Sequence, residues 1–117
     1  MKKKTAEGIL ESLAWMSFPE EYLLKRIQEE PDEAQRERIL EHLKVIMGAH
    51  VDLMFAVSEA YPELNPIGDG EELYYQYRLK YQTADFPAKR MSREDVESAR
   101  KAGIEAAEKI KKELKDD

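Results

Sequence analysis

A chain of 117 residues, 42% hydrophobic and 38% charged, is long enough for one domain around one buried core. Its net charge of −6 sets the surface as a whole against nucleic acid and anionic membranes. The absence of cysteine excludes disulfides and thiolate metal sites.

The opening Met-Lys-Lys-Lys resembles the start of a signal peptide, but Glu7 and Glu11 break up the segment after it, so no signal is expected. With no run of roughly 20 apolar residues, the chain reads as soluble and cytoplasmic. Ile9, Leu10, Leu13 and Ala14 predict a first helix from about Thr5 to Met16. Ser17-Phe18-Pro19-Glu20 reads as a stop and restart, with Ser17 and Glu20 as a capping box and Pro19 in a new first turn. A second helix then runs to about Glu30 on Leu23, Leu24 and Ile27.

Asp32 and Gln35 form the next capping-box candidate. The helix they open is predicted to run to Tyr61, a rod of roughly 42 Å. Apolar side chains fall on every side of it, the pattern of a buried helix. Ile39, Leu43, Ile46, His50, Leu53, Val57 and Ala60 follow one another at heptad-like spacings of four and three, with His50 in the middle. His50 and Asp52 are the polar residues of its apolar stretch, and each needs a partner if buried. Two residues apart on a helix, they do not face each other, so their partners lie on other elements. Three roles suit His50: a core histidine bonded to a neighbour, a general base or ligand contact, and a contact with its own copy at a two-fold axis. His42 stands two helical turns away, too far to share a metal, and no metal or cofactor is expected. Gly48 in mid-helix costs about 1 kcal/mol against alanine, which points to a close approach by another helix or a ligand.

Arg36 and His42, with five residues between them, resemble the arginine-to-histidine spacing of the HEPN ribonucleases, small all-α domains that are usually dimeric. The resemblance covers these two residues and implies RNA processing through them. The polar residue those enzymes often carry after the arginine is here Glu37, whose negative charge departs from the pattern because it opposes RNA.

Pro62 to Gly70 reads as a loop. In the segment 71–83, Leu73, Tyr75, Tyr77, Leu79 and Tyr81 alternate with polar residues, as in a strand. Asp69 with Glu72 offers a capping box, and no partner strand is evident, so the segment is either a helix, which its neighbours favour, or a short strand. Its tyrosines, Tyr75 and Tyr77 among them, interleave with cations and suit a protein interface better than a nucleic-acid surface in so acidic a chain. Ser92 caps a last helix whose stripe is Val96, Ala99, Gly103, Ala106, Ile110 and Leu114, with Glu97–Lys101, Glu105–Lys109 and Glu108–Lys112 as i,i+4 pairs. The concordance of caps and charge pairs is that of an idealised or surface-redesigned sequence, whereas Gly48, His50, Asp52 and the irregular loop point to a natural template.

The expected fold is all-α, a single domain (1–117) of four or five helices bundled around one long central helix (about 32–61). No phosphate-binding loop, hydrolase motif or nucleophilic cysteine is present, so an enzyme of a common motif-bearing class is not expected. The expected function is a helical protein-interaction module that self-associates. The alternative is a ligand-binding or catalytic bundle using His50 and Asp52.

Overall fold

The computed structural model describes residues 1–116 and is all-helical. Its elements are α1 (Lys3–Gln28), α2 (Glu33–Glu59), a short 3-10 turn (Pro62–Leu64), α3 (Glu71–Tyr81) and α4 (Arg93–Asp116). No helix is long and apolar enough among the described residues to cross a membrane.

The expected break at Ser17–Pro19 does not occur, and one helix runs through it. Pro19 is exposed, and so is Trp15, whose carbonyl loses its helical donor there. The lost hydrogen bond therefore lies on the exposed side of the helix, where the carbonyl is open to solvent. Ser17 does not cap; its hydroxyl donates back to Ala14 O at 2.7 Å. The buried residues on both sides of the proline, Leu10, Leu13 and Ala14 before it and Phe18 and Glu20 after it, belong to one face. Packing of that face holds the helix continuous.

The predicted long helix is observed, with Asp32 Oδ1 accepting from Gln35 N at 3.1 Å. The segment 71–81 is a helix, without a strand among the described residues. Its cap is not the expected Asp69–Glu72 box: Gly70 is the N-cap residue and makes no side-chain bond. A Cβ on Gly70 would collide with the Leu64 carbonyl, so the 3-10 turn itself demands glycine there. Ser92 Oγ accepts from Asp95 N at 3.1 Å and starts α4 as expected.

Helix α2 is the hub. It packs against α1 on one side and α4 on another, while α3 packs on α1. The main core lies among α1, α2 and α3, built from Leu10, Leu13, Met54, Val57, Leu64 and Tyr74. The molecule measures 45 × 34 × 23 Å, and its thin dimension holds two helix diameters. Its radius of gyration is 15.6 Å, against about 13 Å for an average globular domain of this length. It is thus a flattened body in which α2 has two helical neighbours and a side left over.

Helix α4 meets α2 through glycine. A Cβ on Gly48 would lie 3.0 Å from Gly103 Cα and 3.3 Å from Ala99 O, and one on Gly103 would lie 3.1 Å from Lys44 O. Backbone thus meets backbone, the close approach expected for Gly48. Gly8, in α1, has no such neighbour. Gly8→Ala should therefore raise stability by about 1 kcal/mol from helix propensity alone. Gly48→Ala should lower it despite the same gain, as α4 is pushed away. Urea denaturation of the two variants checks this, and equal stabilisation by both would contradict the packing described.

Candidate functional site: a buried polar cluster and an open apolar face

His50 and Asp52 serve different neighbours. His50 lies on the side of α2 that faces α1, and its Nδ1 stands 2.6 Å from Glu20 Oε2 with both residues buried. Glu20 reaches that position because the unbroken α1 carries it onto the inner face. With the carboxylate accepting and Nδ1 donating, each group meets the partner that burial demands. Asp52 points to the opposite neighbour, α4, where its Oδ1 stands 2.8 Å from Arg100 Nε. Both of those side chains are about half exposed, so the contribution of that pair is small. A shared His50–Asp52 site is not assembled.

Two residues of α3 complete the cluster. Tyr74 is buried and its hydroxyl donates to Met54 Sδ at 3.6 Å. Burial pushes its phenol up to about 12, with Arg78 opposing the shift and Glu20 adding to it. Glu20, Tyr74 and Arg78 thus share one electrostatic neighbourhood. Arg78 is buried, donates Nη1 to Lys89 O at 3.1 Å, lies 3.8 Å from Glu21 and stacks over Phe18. Its Nε has no partner, the one fully enclosed side-chain nitrogen or oxygen in that state among the described residues. Periodicity does not identify Glu20 or Arg78. Glu20 has the sequence signature of a capping residue, which hides its inward role, and Arg78 looks like the polar half of a strand.

The remaining candidates separate. Tyr75 is half-buried, covered by the Arg90 guanidinium 4.2 Å from its ring centroid, and Arg90 also pairs with Glu72 at 2.8 Å. Tyr77 is half-buried against the main core. These two tyrosines are packed within the chain and do not form one open surface. Arg36 donates Nη1 to Glu30 O at 2.8 Å, while His42 is exposed. Six residues along a helix rotate their side chains about 120° apart, so within one chain the two do not converge. No group of three or more residues capable of holding a metal occurs among the described residues.

The largest unexplained feature is apolar. On α2, Leu43, His50 and Val57 face α1 and are buried. Ile39, Ile46 and Leu53, which alternate with them in the heptad pattern, are 46%, 49% and 48% exposed. The single seam expected from the sequence is thus split. The row that lies open is Ile39, His42, Ile46, Ala49, Leu53, Ala56 and Ala60, every member exposed and spaced three, four, three, four, three, four. Val45, Ile46, Ala107, Ile110 and Leu114 line a groove between this row and α4. Val45, Ala49 and Ile104 line a second, beside the glycine crossing. On α1, exposed Met16 and Leu23 flank Glu20. Helical phase, anchored by the Glu20–His50 contact, brings them out on the same side as Ile46 and Leu53.

No protein-family model, curated protein or solved structure matches the chain.

The Glu20–His50 pair makes a quantitative prediction. His50→Leu strands a buried carboxylate and should cost about 3 kcal/mol. Glu20→Leu strands only an imidazole and should cost less. The double variant should recover most of the loss, because well-packed leucines replace the whole pair. Denaturation of all four proteins gives the coupling, and additive losses would show that the two side chains do not depend on each other.

Proposed function

We propose that this chain is a helical protein-interaction module whose partner is a second copy of itself. The observation that supports the reading is the uncharged heptad row of α2, 22 residues long from Ile39 to Ala60 and left exposed between two flanking helices. Monomeric proteins rarely expose a contiguous apolar strip of this kind without using it. Heptad rows pair with heptad rows, and a two-fold dimer requires a surface that complements itself. The alternation of large Ile39, Ile46 and Leu53 with small Ala49 and Ala56 meets that requirement. Burying the remaining half of each large side chain contributes about 1 kcal/mol. The rims formed by Met16, Leu23 and Ile104 extend the apolar area further, in the direction of a stable interface. The flattened shape fits the same reading, since two such bodies joined face to face enclose α2 on all sides.

Sedimentation at tens of micromolar tests the proposal. A dimer is expected for the unmodified chain, and a folded monomer for Ile46→Asp and for Leu53→Asp, with helix content unchanged because both positions are exposed. An unmodified chain that sediments as a strict monomer would overturn it.

A further inference from the structure

We infer that the two copies dock α2 against α2 in antiparallel orientation, with the two-fold axis crossing at the level of Met47 and Gly48. This rests on the self-association proposed above and assigns its geometry.

The sizes along the open row decide the orientation. In a parallel pair, like meets like: Ile39, Ile46 and Leu53 would each face their own copy and hold the helices apart, and Ala49 and Ala56 would face theirs across voids. His42 would face His42. Interiors tolerate neither overpacking nor voids. In an antiparallel pair the large positions meet the small ones. One register opposes Ile46 to Ala49, Ile39 to Ala56 and Leu53 to His42 of the other copy, so each layer from Ile39 to Ala56 holds one large and one smaller side chain, with Ala60 meeting Gln35 past the end of the row. A shift of one heptad breaks this. In one direction Ile39 comes opposite Glu63, beyond the end of α2, and in the other Leu53 comes opposite Gln35.

Charge agrees with the same register. Arg38 and Glu59 border the open row at its two ends, and both are exposed. The antiparallel register brings Arg38 of one copy alongside Glu59 of the other, twice by symmetry, whereas a parallel pair puts the two copies of Arg38 on opposite edges of the seam and brings neither to Glu59. Antiparallel helices also oppose their macrodipoles favourably. Helices α1 and α4 flank the row without covering it, and their Met16, Leu23 and Ile104 form walls for the arriving helix.

The chain has no cysteine, so introduced thiols report alone. His42→Cys and Leu53→Cys occupy exposed positions, as do Ile39→Cys and Ala56→Cys. Each variant is oxidised alone and in an equimolar mixture with its counterpart, at a concentration where the parent sediments as a dimer. The expected result is disulfide-linked dimer in the His42→Cys/Leu53→Cys and Ile39→Cys/Ala56→Cys mixtures, and none from any variant alone. In the proposed register, identical residues of the His42 and Leu53 variants lie about 16 Å apart along the helix axis, beyond the roughly 7 Å that a disulfide spans between Cα atoms. Linkage of each variant to itself would overturn the orientation in favour of a parallel pair. A dimeric parent with no linkage in any mixture would place the second copy on another surface, overturning this inference while leaving self-association standing. A monomeric parent would remove both.

Discussion

Helix α2 is apolar on every side, and the other features of the molecule depend on how those sides are covered. A helix with that pattern is stable only when enclosed. Its inner row, Leu43, His50 and Val57, is enclosed by α1. A second side is enclosed by α4, at a crossing so close that a Cβ on Gly48 or Gly103 would press on the facing backbone. The fold supplies no third helix for the row from Ile39 to Ala60. Helix α3 is committed to α1, where Tyr74 and Arg78 complete the buried cluster around Glu20.

The polar residues within α2 gain meaning from the same arrangement. His50 is not an intruder in the core, since it stands where α1 presents Glu20 at 2.6 Å. The pair ties the two helices at one register, because sliding α1 by a residue would leave both groups buried without partners. Asp52 does similar work at lower energy on the other flank, holding Arg100 near the glycine crossing. One helix therefore carries a buried tether toward α1, an exposed tether toward α4 and an uncharged row between them.

Much of this is legible in the residues themselves. The long helix, its Asp32 cap, the Ser92 cap and the close approach at Gly48 all obey local rules that packing does not override. The break at Pro19 does not materialise, because a proline on the solvent side of a helix leaves the unpaired carbonyl open to solvent, while Phe18 and Glu20 gain from continuing inward. The alternation of tyrosines in 71–81 imitates a strand; Tyr74, the one residue that breaks the alternation, is the one the core takes. Heptad spacing in α2 reveals an apolar surface but not its division, since the rows of Ile46 and His50 differ by less than a quarter turn. Only the position of α1 decides which of them is buried. The Glu20–His50 contact is likewise invisible in the sequence, because it joins residues 30 apart on two helices.

Self-association as proposed covers the open side of α2 with a second copy of the chain. Methyl groups of isoleucine and leucine report this directly when a soluble paramagnetic probe is added to protein at tens of micromolar, since broadening scales with solvent access. With the second copy in place, Ile46 and Leu53 are expected to be shielded like buried Leu43, while Leu114, at the far end of α4, broadens strongly. Broadening of Ile46 and Leu53 as strong as that of Leu114 would contradict it.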